Sequence, residues 1–425
     1  MKDLADDCFV HDKDRMKHSE AIDILRQRMT PIVGTEKLSL TQASGRVLAS
    51  KIVAPRNIPA FDNTAVDGYA FAHSDHEPTG GFFPLTTRIA AGQVQDVELP
   101  GFSAARIFTG ARMPAGADTV AMQEDCEIHE QDGTSFVIIP AGLKQGANCR
   151  LAGEDVKIGE SVVSAGKSLR PQDIAAIAST GTSELLAYKP LRVGLLSSGD
   201  EILRPGMPYN DGKVYDANFF MLQALLESPV FEVSDLGICL DDAEKLEILL
   251  LAEASNHDVI ISTGGASKGE EDHFVRALDT LGKCHLWQLA VKPGRPMSFG
   301  QIGKTPCFTL PGNPVAAFVC FLLYVRPSLS VLGGGSWREP QRFPLPAKFS
   351  IKSKPDRREF LRGFIGHDEQ GQPFVKKFER DGSGLISGLC AAEGLIEIAE
   401  DQTEVVEGDI VNFIPFAEFR ITQTG

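Results

Sequence analysis

The sequence predicts a multidomain protein of α/β plus all-β class: a three-layer α/β domain, an inserted β domain, a helical or extended linker domain and a C-terminal β-barrel. Three observations carry this expectation. At 425 residues the chain is too long for one hydrophobic core. Across 189–332, apolar strand-like runs alternate with helical stretches, the rhythm of helices on both faces of a largely parallel sheet. The regions 56–150 and 336–425 carry short β-type runs separated by turn residues instead.

The scaffold is read from 1–55 together with 151–188. In Ser19–Met29 the residues Ile22, Leu25 and Met29 fall on one helical face, and Pro31 ends the pattern. Ser39 followed by Gln42 has the form of a capping box and predicts a second helix over ASGRVLA. A third helix begins at Pro171 and stops at Gly181. These pieces are expected to pack together, which makes 56–150 an insert. Within the insert, Asp132-Gly133 between CEIHEQ and TSFVII predicts a hairpin, because both turn positions take positive φ. FDNTAVDGYA and RIFTGARMPAGADTV are not explained by strand formation, although Asx and Gly residues also gather in turns for local reasons.

The α/β domain holds the most informative stretch, Asp258–Pro314. Apolar runs discharge there into STGGASKGEED, KPGRP and LPGNP, and a fourth run upstream ends in SSGDE. Loops at the carboxyl ends of parallel strands converge on one crevice. Glycine lets backbone N–H groups approach a ligand, and helix starts favour anions. The expectation is a phosphate- or oxyanion-binding pocket. Glu201, Asp241, Asp242 and Asp272 supply the hard oxygen donors that Mg²⁺ takes, while Asp241 and Asp242 also suit plain helix capping. Lys292 and Arg295, set three residues apart in KPGRP, form a two-pronged cationic turn. LWQLAV, CFTL and the apolar segment after LPGNP complete the domain, and Gly333-Gly334-Gly335 reads as a linker. Arg357, Arg358 and Arg362 then cluster on one predicted strand, with DGSG following from Asp381.

Composition narrows the functional classes. A hydrophobic content of 43% with 23% charged residues is that of a globular chain. The net charge of −15 argues against non-specific nucleic-acid binding. The eight cysteines show no CxxC pair and read as reduced, mostly buried thiols. The N-terminus lacks a signal-peptide pattern, and the run Val315–Val325, bounded by Arg326-Pro327, is too short to cross a bilayer. A cytoplasmic location with no membrane partner is therefore expected.

Nine stretches, FDNTAVDGYA, RIFTGARMP, RLAGEDV, SSGDE, STGGASKGEED, KPGRP, LPGNP, RREFLRG and DGSG, occur in an order and at separations that resemble the molybdopterin molybdenumtransferase family. Its members complete molybdenum cofactor by inserting molybdate, and the E domain of gephyrin is its animal relative. The likeness runs from about Ser19 to the end. It implies an elongated homodimer of four-domain subunits, a molybdopterin-binding role for the α/β domain, and an active cleft completed by the partner's β domains. The implied reaction takes adenylylated molybdopterin and molybdate, uses Mg²⁺ and releases AMP. Carried over motif by motif, Asp67, Thr109, Glu201, Asp241, Asp272 and Lys292 are the implied catalytic set. Arg295, Arg362, Ser383, Gly264, Gly265, Ser267, Pro311, Gly312 and Asn313 are the implied substrate contacts, Glu201, Asp242 and Asp272 the metal ligands, and Asp155 lies in the strand returning from the insert. Two positions depart from the family pattern: Gln288 stands where many relatives have Lys, and Arg295 replaces the commoner Lys.

Two other readings compete. A molybdopterin adenylyltransferase shares a related α/β domain but is small and lacks the FDNTAVDGYA region and the C-terminal β domain. A non-enzymatic scaffold like gephyrin would be expected to lose several acidic loop residues, and all are present. Molybdopterin adenylyltransferase and molybdoenzyme maturation factors remain as expected partners.

Overall fold

The structure is a computed structural model that describes residues 15–92, 98–264, 273–380, 382 and 384–421, with 284–288 described by backbone alone. The α/β domain is built on a six-stranded sheet in the order Phe231–Cys239, Leu191–Ser198, Val259–Thr263, Thr305–Leu310, Pro296–Ile302, Lys283–Gln288. The first four strands are parallel. The last two each run antiparallel to the preceding neighbour in that order. Val259–Thr263 is buried at every position, as a central strand covered on both faces requires. Val193, Leu195 and Ile261 pack with Ala217–Leu225 and the helix after LPGNP on one side. Leu196, Ile260 and Cys307 pack with Ala243–Asn256 and His273–Leu281 on the other, giving three layers.

The helix after LPGNP is longer than its sequence suggests. It runs 19 residues, Pro314–Leu332, straight through Arg326-Pro327. A π-turn at Phe321–Val325 precedes the proline and supplies the local change in hydrogen bonding that a proline inside a helix needs. By length and composition this helix suits a bilayer, yet 83% of its apolar window is buried inside the protein, so it acts as the central core helix. Gly333–Gly335 is no loose linker either. Gly334 abuts the Tyr188 ring, and Gly335 N–H donates to Ser330 O at 2.7 Å.

LWQLAV divides in two. Lys283–Gln288 stays in the α/β sheet, whereas Val291–Lys292 pairs in parallel with Arg358–Glu359 of the C-terminal domain. That domain is a curled sheet in the order Val291–Lys292, Arg358–His367, Gly394–Ile398, Ile410–Pro415, Phe343–Pro346, with Pro373–Lys377 added to Arg358–His367. Phe343–Pro346 and Pro373–Lys377 lie side by side, but among the described residues their backbones are joined next to Phe343–Pro346 by an isolated Ala347–Val375 bridge, where Lys348 N–H donates to Val375 O at 2.8 Å. A single bridge is not a ladder, so the expected β-barrel is not closed among the described residues.

The insert contains its own six-stranded sheet: Thr119–Met122, Gly68–Phe71, Ala104–Ile107, Phe82–Ile89, Thr134–Ile138, Glu127–Gln131. Its hairpin turns at Asp132 (φ 50°) and Gly133 (φ 78°), the positive pair that the Asp-Gly signal requires. Flanking segments meet where the chain enters and leaves the insert. Thr35–Ser39 pairs with Glu184–Tyr188, and Ala43, Leu48, Leu169 and Ile177 share one core. Two scaffold expectations fail. Ser39 Oγ donates to Gln42 Oε1 at 3.0 Å rather than capping a helix, and only a three-residue turn, Leu40–Gln42, forms. The helix His18–Arg28 joins the α/β core instead of the scaffold core, anchored by His18 Nδ1 against Tyr324 Oη at 2.7 Å.

Candidate active site

The carboxyl ends of the three parallel strands Leu191–Ser198, Val259–Thr263 and Thr305–Leu310 bring the starts of SSGDE, of STGG as far as Gly264, and of LPGNP together, as the loop pattern predicts. Gly264 sits at φ +87°, its N–H donates to Leu310 O at 3.1 Å, and a Cβ on it would lie 2.3 Å from Ser198 O. Only glycine permits that approach. Gly312 packs beside Gly264, and Asn218 Nδ2 donates to Gly312 O at 2.7 Å. Asn218 is 7% exposed, and its Oδ1 has no hydrogen-bond partner among the described residues. Gly265, Ser267 and Asp272 lie outside the described residues.

The acidic residues divide by role. Asp200 and Asp241 exchange backbone-to-carboxylate hydrogen bonds: Asp241 N–H donates to Asp200 Oδ1 at 3.0 Å, and Asp200 N–H to Asp241 Oδ2 at 3.3 Å. This ties SSGDE to the loop before Ala243–Asn256. Asp242 caps that helix, accepting from Lys245 N–H at 3.1 Å and pairing with Lys245 Nζ at 2.9 Å, and those bonds hold its carboxyl below the usual range. The helix-capping role thus occupies the residue expected to be a metal ligand. Glu201 is exposed beside Gly199. No group of three His, Cys, Asp or Glu side chains able to hold a metal occurs among the described residues.

Lys292 is positioned by the C-terminal sheet. Its Nζ lies 3.2 Å from Glu359 Oε2, and Glu359, 1% exposed, also accepts from Ser353 Oγ at 2.9 Å and from Arg357. These donors hold the Glu359 carboxyl below its ordinary range although burial alone would raise it. Gly294 packs against Cys320 of the core helix, which fixes KPGRP from below. Arg295 is exposed at the rim of the turn. Arg362 is 7% exposed and donates to Leu385 O and Arg380 O, both at 2.8 Å, so it braces the two ends of the DGSG segment. Ser383 lies outside the described residues, but neighbouring Gly384 packs near Asn313 of LPGNP. Loops of the α/β and C-terminal domains therefore meet within one chain.

Asp67 and Thr109 form a separate pair in the inserted β domain. Asp67 Oδ1 accepts from Thr109 N–H at 2.7 Å and Thr109 Oγ1 at 2.6 Å, and these two bonds lower its pKa. Among the described residues no hydrogen bond or ion pair links them to the α/β loops. Asp155 is exposed, its N–H bonded to Ile58 O at 3.1 Å. Sequence reasoning missed Glu359, Asp200, Asn218 and Asp216. Asp216 is buried, accepts from Ser197 Oγ at 2.5 Å and pairs with Arg204 at 2.9 Å. The one signal for Glu359 was an acid set among the arginines of RREFLR.

Three family profiles match successive parts of the chain: the MoeA N-terminal region (domain I and II) over 16–181, a probable molybdopterin binding domain over 194–331, and the MoeA C-terminal region (domain IV) over 344–416. A molybdopterin molybdenumtransferase of Haemophilus influenzae is 38% identical over 90% of this chain and 94% of its own length. The chain belongs to the molybdopterin molybdenumtransferase family. Another member, molybdopterin molybdenumtransferase 2 of Mycobacterium tuberculosis, is 32% identical over 92% of this chain and 96% of its own. A solved molybdopterin biosynthesis moeA protein from Pyrococcus horikoshii superposes with a TM-score of 0.79 at 29% identity, covering 95% of this chain and all of its own. The arrangement of α/β and β-rich domains is thus that of the molybdopterin molybdenumtransferase family.

Proposed function

We propose that this protein is a molybdopterin molybdenumtransferase that inserts molybdate into adenylylated molybdopterin and releases AMP. The observation that supports this reading is family likeness over nine-tenths of the chain, together with Gly384 of the DGSG flank packing near Asn313 of LPGNP and Lys292 being held at Glu359 of the C-terminal sheet. Molybdate is a tetrahedral dianion, and Lys292, Arg295 and Arg362 with Ser383 offer it cations and a hydroxyl donor. The close approach of Gly264 and Gly312 at the strand ends suits the phosphate end of the substrate, because backbone is reached there without a side chain intervening. Mg²⁺, when bound, would offset charge on the bridging oxygens of the anhydride. Glu201 and Asp272 would be its protein donors, the remaining positions being filled by substrate phosphate oxygens.

The separation of Asp67–Thr109 from the α/β loops supports a homodimer in which the partner's β domain completes the cleft. A cytoplasmic location and hand-over from an adenylyltransferase to maturation factors follow from the same reading. The test mixes the protein with adenylylated molybdopterin, molybdate and Mg²⁺ and follows AMP. Release that depends on molybdate and is abolished by a chelator is expected, and absence of molybdate dependence sinks the assignment. Lys292→Ala is expected to lose most of that release despite Gln288 removing a neighbouring family charge; normal release would refute the role of Lys292.

A further inference from the structure

We infer that Arg88 and Arg106 form an anion site on the inserted β domain, shaped for the phosphoryl oxygens of a pyrophosphate group. Arg88 pairs with Arg106 across one strand boundary and Arg106 with Tyr69 across the next, so all three share one face of the sheet. Phe108, two residues beyond Arg106, lies on that face too. The Arg88 guanidinium is 4.5 Å from the Phe108 ring centroid, and the Arg106 guanidinium 4.8 Å from Phe108 and 5.0 Å from Tyr69. Each cation is held against a ring, at about 0.5–1 kcal/mol per contact at exposed sites, instead of moving freely in solvent.

Two like charges directly opposite in a sheet repel each other. In a chain of net charge −15 an acidic neighbour would relieve them, yet among the described residues neither arginine has an ion pair. Arg106 donates to neutral acceptors, Gln123 Oε1 and Gly68 O. Asp67 and Glu124 feel its charge from outside pairing distance. The positive charge is thus left for a ligand, beside the Asp67–Thr109 pair. Two planar forks on adjacent strands stand about 4.8 Å apart at the backbone. That spacing suits a diphosphate, whose oxygens spread over two phosphorus centres, better than a single tetrahedral oxyanion. Assignment of the ligand as the anhydride of adenylylated molybdopterin rests on the proposed reaction and on the proposed homodimer, in which this face would meet the glycine loops of the partner subunit; the anion site itself does not.

Calorimetric titration of the full chain with pyrophosphate, AMP and molybdate tests this. Arg88→Gln is expected to weaken pyrophosphate by about tenfold or more, equivalent to about 1.4 kcal/mol, while AMP, with a single phosphoryl group, loses less and molybdate binds as in the wild type. Arg88→Lys should recover only part of the loss, since an ammonium lacks the fork. Far-UV circular dichroism and thermal melts establish that both variants fold, and Arg88→Lys alone carries the test if Arg88→Gln does not. Equal pyrophosphate affinity in wild type and variant, or none in the wild type, overturns the site. The two readings fail separately. Wild-type AMP release with an unchanged substrate KM in Arg88→Gln removes the site and leaves the reaction, whereas pyrophosphate binding lost in Arg88→Gln without any wild-type AMP release does the reverse.

Discussion

Glu359→Gln probes the join between the α/β and C-terminal domains. Glu359 is 1% exposed and its carboxylate meets Lys292, Arg357 and Ser353 together. Removing one side of a buried ion pair costs about 3–5 kcal/mol, because the remaining charge is stranded. Here Lys292 and Arg357 side chains keep 45% and 21% exposure, so water recovers part of that loss. The expected destabilisation is about 2–3 kcal/mol, read as a lower urea midpoint at unchanged slope. Activity separates two explanations. If Glu359 merely offsets positive charge, its removal strengthens the field and lowers the KM for molybdate. If it positions Lys292, the ammonium drifts into solvent and that KM rises, by about tenfold for a loss near 1.4 kcal/mol. The structure favours positioning, since Lys292 belongs by backbone to the same sheet as Glu359. Glu359→Asp should recover part of both effects. A Glu359→Gln protein with wild-type midpoint, or with a lowered KM, refutes the argument.

Three further outcomes are expected. Gly264→Ala places a Cβ 2.3 Å from Ser198 O at positive φ, and should abolish activity with a loss of about 2–3 kcal/mol, whereas Gly206→Ala, also at positive φ but with open space around it, should cost about 1 kcal/mol and keep activity. Burial pushes His18 down from 6.5 to about 4, so the unfolded chain takes up a proton that the folded chain refuses; stability is full above pH 6.5 and declines by about 3 kcal/mol as pH falls to about 4. Thermal melts from pH 7.5 down to 4.5 should show this component flattened in His18→Gln, and an identical pH dependence would exclude His18 as its source. Thr109→Val removes a hydrogen bond that holds the Asp67 carboxyl down, so the acid limb of the pH–rate profile should move to higher pH, and an unmoved limb would separate Asp67 from catalysis.

What the sequence made legible follows from how local each signal was. The Asp132-Gly133 hairpin and the tight glycine turn at Gly264 after a buried strand depend on φ values and patterns contained in a few residues, and the hairpin forms as its sequence predicts. The failures were tertiary. Nothing in LWQLAV marks the point at which it leaves one sheet for another, because Val291 is as apolar as Leu289; the decision is made by Arg358–Glu359, 67 residues away. Arg326-Pro327 reads as a helix end until the π-turn before it is known, since only burial of the whole helix stabilises such a turn. Ser39 had the right partner in Gln42 but used side chain to side chain, not side chain to backbone. The same logic applies to the site. Glycines could be named from sequence because steric exclusion is a property of the residue itself. Glu359 could not, because a carboxylate gains its role only when the fold brings Lys292 and Arg357 to it and removes the water between them. Arg88 and Arg106 are the sharper case: 18 residues apart in sequence, they become a paired site only through a parallel register that aligns them around Phe108. A functional element whose parts are ordinary in isolation is therefore where structure adds most, and where substitution of either part should remove the whole.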